Sequence, residues 1–171
     1  MSTNADALAD KLLSEGERTL AFFRDLAPAT WGQRVYGEGQ GWVVRDAFEH
    51  LIVSEETLQL LFERIVRDQG RGVDDDFNID HFNASHTGEL ASLEWDELQA
   101  RYTAMRHRTA EFTRPLNDEQ LAIRARHPAL GVTTLEEMLK LLYVHHTLHM
   151  RDIKRALQRE ATSHTGAGAH S

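Results

Sequence analysis

The chain has 171 residues, enough for one well-packed domain, and its 41% hydrophobic and 27% charged content is typical of a globular protein. Its formal net charge of −8 would repel a phosphate backbone, so we expect no nucleic acid as a partner. No apolar run approaches the roughly 18–20 residues of a membrane span, and the lack of cysteine excludes a protein thiol as nucleophile or metal ligand. The first residues have no basic start and no apolar signal core, so we expect a cytoplasmic protein without a membrane partner.

Four stretches of the chain carry apolar residues at helical spacing, and no stretch of comparable length alternates as a strand does. They predict helices over residues 3–27, 42–69, 92–114 and 134–159. Pro28, Gly70 and Pro115 mark the ends of the first three. Amphipathic helices of this length predict an all-α fold, a four-helix bundle that forms one domain over residues 1–160. The small polar residues of 161–171 predict a disordered tail.

Two connections between these helices stand out. Residues 71–91 form the longest, and a loop of this length in a compact domain is usually functional or mobile. We expect it to lie over one end of the bundle and to form a wall of any site there. The glycine-rich stretch "YGEGQGW", residues 36–42, fits neither the phosphate loop nor the dinucleotide fingerprint, and we interpret it as a flexible turn.

The fourth helix carries three histidines within five positions, in the stretch "LLYVHHTLHMRDI". With about 100° per residue, and with Leu142 as the buried direction, His149 and His146 lie about 20° and about 40° from it and His145 about 60°. All three are on or beside the apolar stripe. Because a buried imidazole without a partner loses hydration that it cannot recover, something must satisfy these rings.

A metal ion is one such partner. His145 and His149 have the i, i+4 spacing that lets two rings reach one ion, and His50, at the edge of the stripe of the second helix, is the best candidate for a third ligand. Spacing alone leaves a core role open, and the intervening residues lack the glutamate of a zinc protease. The other histidines lie in the long loop, among arginines or in the tail: His81, His86, His107, His127, His164 and His170.

Several motifs together resemble the DinB/YfiT-like superfamily. Trp42 precedes His50 by eight positions in "WVVRDAFEHL", an HxxxH pair lies late in the last helix with Ile153 beyond it, and "FNIDHFNA" is similar to a stretch in relatives near the mycothiol-dependent maleylpyruvate isomerase. The resemblance implies a four-helix bundle of up-down-down-up topology that is frequently dimeric. It also implies a divalent metal ion, zinc or nickel, held by His50, His145 and His149.

The same resemblance leaves three functions open. The first is a transferase or isomerase that acts on a small molecule and uses a low-molecular-weight thiol, which the metal ion activates. The second is a metal-dependent hydrolase with the same ligands, and the third is a non-catalytic, stress-related bundle in which the histidines are structural. Because one fold hosts many reactions, function must be argued from the site.

Five further polar residues bear on the site. His146 is not a ligand position in the family pattern, and we interpret it as a core residue or as a donor to a ligand. Glu49 and Glu55 are the carboxylates nearest to His50 in sequence, and for Glu49 we expect a solvated helix face. Arg45 and Arg151 are the groups that suggest a polar pocket for a thiol.

Overall fold

The computed structural model describes residues 3–36, 41–86 and 88–166, with side chains up to residue 162. The four long helices are α1 (Asn4–Arg24), α2 (Val44–Arg67), α4 (Trp95–Thr113) and α6 (Leu135–Gly166). Between them lie a 3-10 turn (Pro28–Thr30), the short helices α3 (Ile79–His86) and α5 (Asp118–Leu121), and the strands β1 (Arg124–His127) and β2 (Gly131–Thr134).

Local hydrogen bonds explain where several helices begin. The Thr3 hydroxyl accepts from the Asp6 amide at 3.0 Å while the Asp6 carboxylate accepts from the Thr3 amide at 3.0 Å, so both orphan donors at the start of α1 are satisfied. At the start of α6, the Thr134 hydroxyl accepts from the Glu137 amide at 3.3 Å. The helices therefore begin close to the predicted positions.

The long helices form a four-helix bundle in which α1 and α2 each pack against α4 and α6. Helix α1 runs antiparallel to α4 and parallel to α6, and α2 runs parallel to α4. The pairs that establish these directions are Arg24–Gln99 and Asp10–Arg114 between α1 and α4, Lys11–Tyr143 and Phe22–Lys154 between α1 and α6, and Phe48–Tyr102 and Glu55–Thr109 between α2 and α4. The predicted up-down-down-up topology is thus confirmed.

The core has two apolar clusters, one toward each end of the bundle. One contains the buried rings of Phe23, Phe48 and Tyr102, and the other contains Phe62 and Leu135 with the aliphatic residues around them. Residues of α2 and α6 contribute to both clusters. These two helices therefore form a continuous wall along which the histidines lie.

The bundle carries one feature that the periodicity did not predict. Strands β1 and β2 pair antiparallel and form a hairpin directly before α6. Each strand has only four residues, too few for a periodic signal to stand out from the surrounding sequence. The hairpin matters because His127 of β1 and the turn after it line the cavity described below.

Two other predicted segments differ from the structure or fall outside it. Residues 71–91 contain the short helix α3, and α6 continues to Gly166, beyond the predicted boundary at residue 160. The remainder of the predicted tail, residues 167–171, and the centre of the predicted turn, residues 37–40, lie outside the described residues. Among the described residues, no helix combines the length and the apolar character that a membrane span requires.

Candidate metal centre

The side chains of His50, His145 and His149 converge between α2 and α6. The Nε2 atom of His145 lies 3.2 Å from that of His50 and 2.9 Å from that of His149. One ring nitrogen from each of the three histidines lies within 4.8 Å of the corresponding nitrogens of the other two. The structure thus brings together all three residues that the sequence proposed as ligands.

A neighbouring tyrosine sets the proton position on His149. The Tyr36 hydroxyl is 2.7 Å from His149 Nδ1 and donates to the Asp152 carboxylate at 3.5 Å. Because the hydroxyl has only one proton to give, we assign the Nδ1–H of His149 as its donor. Nε2 of His149 then carries a free lone pair that faces the other two imidazoles, as metal-binding histidines require.

The donor set fits a divalent first-row metal ion. Two nitrogen atoms bound to one tetrahedral ion at roughly 2.0–2.1 Å lie about 3.3 Å apart, close to the observed separations. Burial, with the neighbouring imidazoles as a further cause, lowers the pKa of His50 to about 2, and burial followed by His149 lowers the pKa of His145 to about 3. Burial lowers the pKa of His149 to about 4. At neutral pH the three rings are therefore uncharged, which is the ligand form.

Trp42 holds two of these rings in place. Its indole is buried and packs at 4.7 Å from the His50 ring, and it lies 6.4 Å from the His149 ring at an interplanar angle of 28°. Such packing restricts the rotamers of both imidazoles. The convergence of the rings is thus supported by their surroundings as well as by the backbone.

The three histidines lie at one side of a cavity of about 570 Å³. Most of its wall is apolar and comes from α2, α6 and the segment that the sequence predicted as a site wall. Its lining includes Leu58, Leu60, Leu61, Val73, Phe77, Ile79, Phe82, Pro128, Ala129, Leu141 and Leu142, with Ser54, Thr57, Arg64, Asp74, Asp76, Asn83 and His127 as polar members. The prediction that residues 71–91 border the site is confirmed.

The profile of the DinB superfamily matches residues 11–153 of the sequence. The chain belongs to the DinB superfamily. This match covers all four long helices apart from the first residues of α1 and the last residues of α6. No curated protein shows a significant sequence match.

A solved structure of another protein shares the fold of this DinB superfamily member. The chain is similar to YfiT from Bacillus subtilis, described as a probable metal-dependent hydrolase with an unusual four-helix bundle topology, with a TM-score of 0.74. The similarity covers 94% of this chain and 90% of the YfiT chain at 17% sequence identity. At this identity the likeness shows the fold alone.

His146, adjacent to His145, has a different environment. Its Nδ1 accepts from Arg106 Nη2 at 2.7 Å and lies 2.9 Å from the Tyr102 hydroxyl, so its proton is on Nε2, which lies 3.3 Å from the Glu55 carboxylate. The side chain is fully buried. Because both ring nitrogens have partners inside the bundle, His146 is a core residue, which is one of the two interpretations that the sequence allowed.

Glu49 is a correction to the sequence analysis. We expected it on a solvated helix face, but it is only 4% exposed and accepts from Arg45 Nε at 2.6 Å. Burial raises its pKa, and Arg45 opposes this shift.

The two arginines that suggested a polar pocket have other contacts. Arg45 donates to the Leu93 carbonyl at 2.6 Å, and Arg151 lies at 3.7 Å from Asp152 with most of its side chain exposed. Neither arginine lines the cavity, so the expected polar pocket is not built from them.

His127 is the site residue that the sequence analysis passed over. Its arginine neighbours made it a weak ligand candidate in the sequence, yet in β1 the burial alternates, so that Ala125 and His127 face inward while Arg124 and Arg126 face outward. The ring of His127 lines the same cavity as the three convergent histidines. The alternation of "RARH" was the signal in the sequence, although it spans only one short strand.

The lowered pKa values of this cluster predict that the metal-free protein is sensitive to acid. In the unfolded chain a histidine takes up a proton below about pH 6.5, while in the folded chain these rings stay neutral until about pH 4 or lower. The unfolded state then binds more protons, so the free energy of unfolding decreases as the pH falls from about 6.5 toward 4. A shift of this size in one ring corresponds to ~3 kcal/mol.

Urea denaturation of protein treated with a chelator, at pH 7.5 and at pH 5.5, measures this effect. The matched control is His145→Leu, which removes one titrating ring from an apolar stripe. We expect the pH dependence of its unfolding free energy to be smaller by the contribution of about one histidine. Equal pH dependence in both proteins would contradict the assignment of a buried neutral imidazole at residue 145.

Proposed function

We propose that the protein is a metal-dependent enzyme that acts on a small, largely apolar molecule. The observation that carries this proposal is the convergence of three neutral imidazoles at the wall of an apolar cavity. Three protein ligands leave room for a further ligand on a first-row metal, which is the arrangement of catalytic rather than structural sites. When bound, a divalent ion at His50, His145 and His149 would stabilise the anionic form of a nucleophile.

The residues of the chain supply binding and orientation. Leu58, Phe77, Phe82 and Leu142 offer apolar surface to a substrate and exclude water from the site. Tyr36 and Asp152 hold the His149 ring in the tautomer whose Nε2 faces the centre. Buried aliphatic and aromatic surroundings also lower the local dielectric, so charges formed during the reaction interact more strongly than in water.

For the nucleophile we propose a low-molecular-weight thiol, which makes the enzyme a thiol-dependent S-transferase or isomerase. The chain has no cysteine, so a thiol must enter with a cosubstrate. Arg64, Asp74, Asp76 and Asn83 line the cavity together with its apolar wall and offer partners for the polar body of such a cosubstrate. Because thiolate is the reactive form of a thiol, a site that favours the anion activates it.

Hydrolysis is the second candidate, because YfiT, whose fold the chain shares, is described as a probable metal-dependent hydrolase. In this case water takes the place of the thiol, and the ligands and the cavity keep their roles. Arg45 and Arg151, which suggested a thiol pocket in the sequence, do not line the cavity. Their absence from the wall also favours water, a nucleophile that needs no pocket for a polar body. The two candidates differ in one requirement, the added thiol.

The experiment is a comparison of turnover with and without thiol. Protein loaded with zinc or nickel is incubated with a panel of apolar electrophiles and esters, with and without a low-molecular-weight thiol. We expect conversion of an electrophile that depends on the thiol and is lost in protein treated with a chelator. Ester cleavage without thiol would instead support the hydrolase, and a wild-type protein that binds no metal would support the non-catalytic bundle. A homodimer, which the family resemblance suggests for this chain, and a cytoplasmic location stay predictions.

A further inference from the structure

His127 has one ring nitrogen anchored to its own turn. It ends strand β1, and its Nδ1 accepts from the amides of Ala129 at 3.0 Å and Leu130 at 3.3 Å. An imidazole nitrogen that accepts two amide hydrogens carries no proton itself. The turn therefore fixes both the orientation and the tautomer of this ring.

The proton of the neutral ring must then lie on the other nitrogen. Burial, followed by the neighbouring His145, lowers the pKa of His127 to about 4, so the ring is neutral at pH 7. Its Nε2 carries the hydrogen and points away from the turn whose amides bind Nδ1. His127 thus presents a single, well-defined hydrogen-bond donor.

This donor has no acceptor within the described part of the chain. The side chain is only 3% exposed, and its Nε2 is buried without a hydrogen-bond partner. Buried N–H groups in native proteins are almost always paired, so an exception calls for a functional explanation. In the turn that follows, Ala129 and Leu130 hold the ring by their amides, and neither bonds to Nε2.

The location of the ring indicates where the acceptor comes from. His127 lines the cavity that the three convergent histidines also line. Most of the remaining wall is apolar, so few other groups there can bind an oxygen atom of a ligand. A ligand that fills the cavity therefore contacts His127, the residue that carries this unpaired donor.

We propose that His127 is a positioning residue whose Nε2–H donates a hydrogen bond to a carbonyl or carboxylate oxygen of the molecule bound in the cavity. This proposal rests on the proposed function, because both use the same cavity. The substrate class follows from the chemistry of the wall. It is a molecule with an apolar body and an acceptor oxygen next to its reacting atoms. His127 holds that oxygen while the apolar side chains hold the body.

Two substitutions separate this role from support of the turn. His127→Asn places a side-chain oxygen near the position of Nδ1, so it keeps the bond to the turn and removes the distal donor. His127→Gln places an amide NH₂ near the position of Nε2 and restores a donor. The probe is octanohydroxamate, which has an apolar chain, acceptor oxygens and affinity for zinc, and its dissociation constant is measured by calorimetry on zinc-loaded protein.

We expect His127→Asn to bind octanohydroxamate about tenfold or more weakly, as the loss of one hydrogen bond to a polar or charged group predicts. We expect His127→Gln to stay within about threefold of the wild type, and all three proteins to bind one zinc per chain. In the wild type, the side-chain Nε2–H resonance should shift when the probe is added. This shift is a readout that a purely structural role of His127 would not produce.

Three results would overturn the proposal. If His127→Asn bound the probe as tightly as the wild type, His127 would not donate a hydrogen bond to the bound molecule. If His127→Asn lost zinc, His127 would be a metal ligand instead. Equal weakening in His127→Asn and His127→Gln, together with a lower melting temperature in both, would assign a structural role. Failure of the proposed function is distinct, because there the wild-type protein itself binds no zinc.

Discussion

Purified His145→Ala is expected to contain almost no metal, while His146→Ala, altered at the next residue, is expected to retain about one divalent ion per chain. The reason is the orientation of the two rings. His145 directs Nε2 toward His50 and His149, whereas His146 uses both nitrogens for Arg106, Tyr102 and Glu55. Elemental analysis of protein loaded with zinc or nickel measures the difference.

His50→Ala and His149→Ala extend this test to the other two ligands. Each variant should lose most of the metal, because a site with two imidazole ligands binds the ion much more weakly than a site with three. Low pH should release the ion from the wild type, since protons compete for the same nitrogens. Metal retained in His145→Ala and lost in His146→Ala would reverse the assignment on α6. Wild-type metal content in all four variants would remove the metal centre altogether.

Arg106→Met is expected to lower the free energy of unfolding by about 3–5 kcal/mol, because it leaves a carboxylate buried without its counter-charge. Arg106 Nη2 lies 2.8 Å from the Glu55 carboxylate, and both side chains are almost completely buried. Burial raises the pKa of Glu55, while Arg106 and the Thr109 hydroxyl oppose this shift. Urea denaturation of the metal-free protein at pH 7.5 measures the loss.

The chain contains a matched control for this pair. Arg101, on the same helix as Arg106, binds Glu56, the residue after Glu55, but these two side chains are 40% and 23% exposed. Arg101→Met should therefore cost at most ~1 kcal/mol. Adding Glu55→Gln to Arg106→Met should recover part of the lost stability, since an amide oxygen still accepts hydrogen bonds without a charge. Equal losses in Arg101→Met and Arg106→Met would show that burial of the pair has no special cost.

A glycine on α1 provides the space for the buried side chain of Arg106. A Cβ atom added at Gly16 of α1 would lie 2.6 Å from Arg106 Cγ, closer than two carbon atoms pack. Glycine at this position thus lets α1 approach α4 with the arginine side chain between them. The polar network around His146 is therefore built from α2, α4 and α6, and α1 packs closely against it at Gly16.

Helix positions and the histidine cluster were predictable from the sequence. Helical periodicity is a local property, so the four long helices could be located within a few residues, apart from the C-terminal end of α6, which continues to Gly166. The i, i+4 spacing of His145 and His149 is also local, because it depends only on the helix that contains them. His50 was a candidate from its place on the second helix, and the family resemblance implied the same residue; the binding of a metal ion by the three residues stays a prediction.

Other features depended on contacts between segments that are distant in the chain. On the helical wheel His146 lies closer to the buried direction than His145 does, and only the packing of α2 and α4 decides that His146 meets Arg106 and Glu55. The burial of Glu49 is decided in the same way, since Arg45 and neighbouring helices cover it.

The sequence by itself determined the four long helices, the bundle class and the spacing of His145 and His149, since each follows from the helical repeat. The tertiary structure alone decided the roles of Tyr36 and His127. Tyr36 reaches His149 across 113 positions of the chain, and His127 enters the cavity from a four-residue strand. Neither arrangement has a periodic signal of its own, because each arises only when separate segments pack around one cavity.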